Sequence, residues 1–239
     1  MTKKIAVVVG GSRGIGFAIS CKLTEVGCFV IAICSKEENV NNTKGKLIKK
    51  GNCLNDFEVL SANVKNEDEV SNVASYIKKK YGNVNYLVNC AGVMEPEAVT
   101  SDLEKMENWD EVINVNLRGT FLVCKYMIPI LREKENAHII NFSGGLGLLS
   151  SGMLGGTLSA YRISKSAVNA LTLILSEELK DDEIMVNSID PGWVKTDMGG
   201  GDAPKLPEMV AEEVYRILMK KFSREETGKL FKEDAIIDY

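Results

Sequence analysis

The sequence predicts a doubly wound α/β fold: a single domain over residues 1–239, with a parallel sheet of about seven strands and helices on both faces. Three observations carry this. Short apolar runs rich in Val and Ile alternate with longer stretches of helical spacing along the whole chain. The first apolar run ends in a cluster of glycines. No Pro-, Gly- or Ser-rich linker divides the chain, and its 239 residues, 45% of them hydrophobic, suffice for one large core.

The elements follow in order. Ile5 to Val9 is an unbroken β-rich run, as expected of a strand buried on both faces. Glycines come next, then a helix from Gly14 to Val26. Phe29 to Cys34 reads as the second strand, Lys36 to Lys50 as a polar helix, and Phe57 to Ser61 as the third strand. Between Glu67 and Tyr81, the spacing of Val70, Val73, Ala74 and Ile77 predicts an amphipathic helix. Asn85 to Asn89 is the fourth strand, and one long helix covers Trp109 to Leu131. Ala137 to Phe142 is the fifth strand, Ala160 to Leu179 a second long helix, and Ile184 to Ile189 the sixth strand. Leu206 to Phe222 is helical, and Lys229 to Phe231 is a last short strand. Such repeated strand–helix–strand units wind right-handed, and their ligands sit beyond the carboxyl ends of the strands, where the winding reverses.

Composition excludes several functions. A net charge of −4 with 26% charged residues gives no basic patch for nucleic acid. Lys78-Lys79-Lys80 reads as the solvated end of a helix. No apolar run approaches the ~18–20 residues that cross a bilayer, so no membrane span is expected. Met1-Thr2-Lys3-Lys4 leads into a buried strand rather than a signal sequence. The six cysteines, Cys21, Cys28, Cys34, Cys53, Cys90 and Cys124, form no Cys-x-x-Cys pair and mostly lie in apolar segments. That fits free thiols in a reducing cytoplasm. With a single histidine, His138, at the edge of an apolar strand, no metal site is expected.

The first strand runs into Gly10-Gly11-Ser12-Arg13-Gly14-Ile15-Gly16. A tight strand-to-helix turn needs residues without Cβ, and glycine lets the backbone approach a pyrophosphate lying over a helix N-terminus. The spacing is Gly, three residues, Gly, one residue, Gly, and it resembles that of the short-chain dehydrogenase/reductase family, with Val9 where the family usually has Thr. The second strand ends Ile33-Cys34-Ser35-Lys36, with no carboxylate at its tip to hold a ribose hydroxyl or repel a 2′-phosphate. With Arg13 in the glycine loop and Ser35 and Lys36 at the strand end, the resemblance implies NADP(H) as cofactor rather than NAD(H).

Further segments resemble the same family. Asn89-Cys90-Ala91-Gly92 is similar to its Asn-Asn-Ala-Gly stretch and implies Asn89, Ala91 and Gly92 beside the adenine ribose. Asn63 stands where the family often has an Asp near the adenine, with Val64 beside it. Pro191-Gly192-Trp193-Val194-Lys195-Thr196 resembles the family's Pro-Gly segment beside the nicotinamide, which adds Pro191, Gly192, Val194 and Thr196 to the cofactor set.

Tyr161 and Lys165 lie four residues apart, on one face of a helix. A phenol has a reference pKa of ~10, and a nearby ammonium lowers it toward useful acid–base chemistry. The pair follows the Asn-Cys-Ala-Gly segment in the family's order. The resemblance makes Tyr161 the proton donor and Lys165 the residue that binds the nicotinamide ribose and tunes Tyr161. Asn116, in Asn114-Val115-Asn116-Leu117, matches the family's active-site Asn, which holds a relay water. The family's serine falls in Asn141-Phe142-Ser143-Gly144-Gly145: without a gap, Gly144 takes the place of the usual catalytic hydroxyl, and Ser143 serves only if the loop shifts by one residue. The loop from Gly144 to Gly156 holds six glycines in thirteen residues. Its Leu146, Leu148, Leu149, Met153 and Leu154 either wall an apolar substrate site or pack on a neighbouring helix.

The resemblance covers Val7 to Phe231 and is nearest to carbonyl-reductase-like members. It implies NADPH-dependent reduction of a ketone, aldehyde or quinone. The short connection between Trp193 and the helix near Leu206 implies an open site of broad substrate choice. Two other readings stand beside it: a 3-oxoacyl thioester reductase of fatty-acid synthesis, and a catalytically silent NADP-binding protein, for which Gly144 speaks. The family resemblance also implies a homodimer or homotetramer packed through the two long helices.

Overall fold

The structure is a computed structural model that describes residues 3–132, 136–148, 156–221 and 223–239. Leu149, Met153 and Leu154 of the expected apolar wall, and Phe222, lie outside the described residues.

Eight strands form one sheet in the order β3-β2-β1-β4-β5-β6-β7-β8. They are β1 (Ile5–Val9), β2 (Phe29–Cys34), β3 (Phe57–Ser61), β4 (Tyr86–Asn89), β5 (His138–Phe142), β6 (Met185–Ile189), β7 (Leu230–Lys232) and β8 (Ala235–Ile237). All pairings are parallel except β7 with β8. The helices are α1 (Gly14–Glu25), α2 (Glu38–Lys49), α3 (Glu67–Tyr81), α4 (Met106–Val112), α5 (Thr120–Leu131), α6 (Ser159–Glu178) and α7 (Pro207–Leu218).

Two apolar layers follow from the period-two alternation of the strands. Ala6 and Val8 face Ile19 and Leu23 of α1 and Val210, Val214 and Ile217 of α7. Val7 and Val9 face the other way, toward Val70, Ala74 and Ile77 of α3, Met127 and Leu131 of α5, and Leu175 of α6. The winding reverses between β1 and β4. A Cβ on Gly10 would stand 2.8 Å from the Ala91 nitrogen, so the first glycine lets the two strand ends approach at that point.

The long helix expected over 109–131 is not continuous. α4 and α5 are joined by seven residues of wide π-turn, Ile113–Gly119, centred on Asn116. Such wide turns within helices concentrate at functional positions. The sheet also gains β8 beyond the seven expected strands. Its hairpin turns on Glu233 and Asp234 at φ 49 and φ 68, both in the left-handed region, as a two-residue hairpin that matches strand twist requires.

A buried polar ladder crosses the sheet. Asn89 Nδ2 donates to Asn141 Oδ1 at 2.9 Å, Asn141 Nδ2 donates to Thr172 Oγ1 at 3.0 Å, and Thr172 Oγ1 donates to the Val168 carbonyl at 2.8 Å. It ties β4 to β5 and β5 to α6.

His138 opens β5 at 1% exposure, with its ring edge-on to Tyr86 at 5.9 Å between centroids. Burial lowers its pKa from 6.5 to about 4. The unfolded chain therefore takes up a proton near pH 6.5 that the folded protein resists until near pH 4. Stability should fall as pH drops through that window, by about 3 kcal/mol in all. His138→Phe should flatten urea-derived stability between pH 7 and pH 5. An unchanged slope would show that other groups govern acid sensitivity.

Candidate active site

The carboxyl ends of β1, β4, β5 and β6 bring the chemistry together. From β1 the chain turns through Gly10 at φ 83 and enters α1 at Gly14. Arg13, at the N-cap, offers no side-chain cap, and the first turn holds no acidic residue. No carboxylate of its own first turn thus meets its amide groups and the helix dipole, which would favour an anion there. A Cβ on Gly16 would run into the Gly10 carbonyl, which accounts for the third glycine. Across the cleft stands the segment after β6: a Cβ on Gly14 would lie 3.2 Å from Thr196, and Arg13 Nη1 lies 3.1 Å from Asp197 Oδ2. The glycine loop and the Pro191–Thr196 segment therefore form two walls of one cleft. Thr196 is fixed by accepting from the Gly199 amide at 3.1 Å. Val194 is buried and bridges to Lys205, which pairs with buried Glu213 at 2.7 Å.

At the end of β2, Ser35 and Lys36 are exposed, and Lys36 lies 3.4 Å from Glu38. Asn63 folds onto its own loop, accepting from the Lys65 amide at 3.1 Å, and Val64 packs against Gly119 of the π-turn. Asn89 departs from the expectation. Its side chain turns into the buried ladder, while Ala91 lies against Gly10 and Gly92 lies beside Asn116 and Lys165.

Tyr161 sits in the first turn of α6 and Lys165 one turn further on. The Lys165 ammonium lies 5.4 Å from the Tyr161 ring centroid and donates to the Phe142 carbonyl at 2.7 Å. Lys165 is 4% exposed, and burial lowers its pKa from 10.5 to about 8. A Cβ on Gly92 would come within 3.7 Å of that nitrogen, so the glycine keeps space open beside it.

The expected lowering of the phenol is reversed. Burial first, then the charges of Asp190, Glu95 and Cys90, push Tyr161 up to about 12. The cost of burying a phenolate outweighs an ammonium that burial itself weakens.

Asn116 is buried, with its amide fully engaged. Oδ1 accepts from the Val93 amide at 2.8 Å, and Nδ2 donates to the Val93 carbonyl at 2.9 Å and to Ser164 Oγ at 3.0 Å. It pins the loop after β4 to α6.

The Ser143 hydroxyl is taken up by a partner inside the fold. The hydroxyl is buried and donates to the Lys165 carbonyl at 3.2 Å, because β5 continues in register through the Ser143 amide to Ile189. Gly144 instead faces the phenol: a Cβ there would lie 3.8 Å from Tyr161 Oη. Of the described part of the next loop, Leu148 is buried and Leu146 partly so.

Sequence reasoning missed Asp190 and Glu95. Asp190 directly follows β6, accepts from the Gly192 amide at 3.0 Å and pairs with Lys232 at 3.1 Å. Its place directly before Pro191-Gly192 was a usable signal. Glu95 carried none, because its partners are more than sixty residues away.

The chain matches the family model described as short chain dehydrogenase over residues 4–206. It belongs to that family. Like its relatives named as such, this short-chain dehydrogenase is an oxidoreductase. It is 32% identical over 225 residues to a 3-oxoacyl-[acyl-carrier-protein] reductase of Thermotoga maritima, covering 93% of this chain and 86% of that one. It is 29% identical over 223 residues to an uncharacterized oxidoreductase of Staphylococcus aureus, covering 91% and 92%. Among solved structures, a short chain dehydrogenase of Shigella flexneri complexed with NADP superposes with TM-score 0.85 at 22% identity over 98% of both chains. Salutaridine reductase from Papaver somniferum gives TM-score 0.83 at 23% identity, covering 96% and 99%. At these identities, the two structures show the same fold. No helix among the described residues is long and apolar enough to cross a membrane.

Proposed function

We propose that this short-chain dehydrogenase reduces a carbonyl with NADPH, Tyr161 giving the proton and Lys165 the positive charge beside it. The observation that carries this is a partly buried phenol with a buried ammonium 5.4 Å from its ring centroid, and burial, which raises the phenol's pKa, keeps it protonated. A protonated phenol in that position can give its proton to a substrate oxygen. NADPH, when bound, supplies the hydride that no side chain can.

The protein's own groups do the rest. The α1 N-terminus and glycine loop take the pyrophosphate. Arg13, Ser35 and Lys36 take the 2′-phosphate. Gly92 would leave room for the ribose beside the Lys165 ammonium, and Asn116 fixes the loop after β4. Tyr161 passes its proton to the substrate oxygen. With Gly144 bare and the Ser143 hydroxyl taken up inside the fold, Tyr161 polarises that oxygen without a neighbouring hydroxyl, so turnover should be slow.

The test is NADPH oxidation over ketones, aldehydes and quinones. A narrow profile would count against an open site, and equal use of NADH would reject the phosphate assignment. Arg13→Ala should weaken NADPH about tenfold to 100-fold, the worth of one charged hydrogen bond, and leave NADH affinity unchanged; equal losses for both cofactors would place Arg13 elsewhere. A second reading, reduction of a 3-oxoacyl thioester on a carrier protein, draws on the Thermotoga maritima relative. It predicts much faster turnover of carrier-bound than of free 3-oxoacyl substrates. The free thiols support a cytoplasmic setting. Exposed Phe121 on α5 and Ile163, Leu173 and Ile174 on α6 support self-association through these helices; sedimentation as a monomer at micromolar concentration would count against it.

A further inference from the structure

The helix that carries Tyr161 does not cap itself. Leu158 stands at its N-cap in the left-handed region, φ 60 and ψ 46, and makes no side-chain cap. Ser159, Ala160 and Tyr161 are its first three residues, and their amides have no partner within the helix. The cap comes from elsewhere in the chain. Glu95, in the loop after β4, accepts from the Ala160 amide through Oε1 at 2.8 Å. It accepts from the Tyr161 amide through Oε1 at 3.2 Å and Oε2 at 3.0 Å. These are the second and third helical amides, the two that an ordinary N-cap side chain serves.

Glu95 is 4% exposed, and among the described residues no Lys or Arg pairs with it. Two amides and the positive end of α6 hold its charge. The surrounding backbone is stitched in the same sense. Val99 bridges antiparallel to Thr157, Thr157 Oγ1 donates to Glu97 Oε1 at 3.4 Å, and Arg162 Nε donates to the Thr157 carbonyl at 2.7 Å.

We infer that Glu95 is a positioning residue for Tyr161: its carboxylate caps α6 from outside the helix and so sets where the phenol stands in the cleft. The inference rests on the reading of Tyr161 as proton donor. Glu95 has a second consequence through its charge. The groups that face the phenol are Lys165 on α6, Asp190 directly after β6, Cys90 at the end of β4, and Glu95 itself. Behind the larger effect of burial, the charges of Asp190 and Glu95 both oppose phenolate and so help to keep the proton on Tyr161.

The experiment compares Glu95→Ala, Glu95→Gln and Tyr161→Phe in the intact protein. It reads kcat and KM for a small carbonyl, NADPH affinity by fluorescence, hydrogen exchange at the Ala160 and Tyr161 amides, and the pH profile of alcohol oxidation. Glu95→Ala should lower kcat about tenfold or more, as a displaced reacting group does, with NADPH affinity unchanged and both amides exchanging faster. Glu95→Gln keeps one acceptor oxygen, the kind that both amides already share, but no charge. It should recover most of kcat and move the rise of alcohol oxidation to lower pH. If Glu95→Ala fails to fold, the Glu95→Gln profile decides.

Normal kcat in Glu95→Ala, unchanged amide exchange, or a Glu95→Gln profile that does not move would overturn the inference. Full activity in Tyr161→Phe would instead overturn the catalytic reading, and amide exchange would still report on the cap.

Discussion

Tyr161→Phe should cut carbonyl reduction by about 10²–10⁴-fold, the usual worth of a positioned proton donor, while NADPH affinity and folding stay close to wild type. No described residue hydrogen-bonds to the Tyr161 hydroxyl, so its removal leaves no partner stranded and the ring keeps its place on α6. Nor is there a substitute nearby. The Ser143 hydroxyl is engaged by the Lys165 carbonyl, and the Lys165 ammonium by the Phe142 carbonyl. Steady-state turnover with saturating NADPH, beside a fluorescence titration of NADPH, separates lost chemistry from lost binding. Turnover within about threefold of wild type would end the case for Tyr161 as the acid, since the expected loss is at least about a hundredfold.

Gly144→Ser should raise kcat, by up to about 10²-fold if the new hydroxyl meets the substrate oxygen as oxyanion donors do. The backbone is ready for it. Gly144 has φ 166 and ψ 155, extended geometry open to any residue, and an added Cβ would meet nothing nearer than Tyr161 Oη at 3.8 Å. Gly144→Ala is the control, since it adds the same bulk without the donor. A gain in the serine variant alone would show that wild type works without polarising help on this side. Equal rates in both variants would mean that the substrate oxygen lies away from residue 144. Turnover by the wild type in the same assay, not the gain, decides against the silent-protein reading.

Most of the sheet was legible because buried parallel strands announce themselves as unbroken apolar runs, and β1, β2 and β3 begin and end where the sequence places them. The glycine loop was legible because close backbone approach leaves few residue choices. The π-turn was not: nothing in Ile113–Gly119 departs from helical spacing, and the widening follows from how Asn116 must reach both Val93 and Ser164. β8 was missed because Glu233-Asp234 lacks the Gly or Asn that usually signals left-handed turn residues. The phenol's shift was misjudged because spacing shows which charge lies one turn away, not how much water the fold removes.

The asparagine ladder through β4 and β5 has a consequence for how the molecule tolerates change. Oily contacts let a helix slide or roll at small cost, since they have no preferred direction. The directed amide contacts from Asn89 through Asn141 to Thr172 penalise rotation about the long axis of α6. A small rotation at that end would swing the catalytic side chains sideways at the other. The aim of the reactive groups is thus set in part by side chains that never meet a substrate. Shortening Asn141 to Ala should therefore blur turnover before it melts the fold.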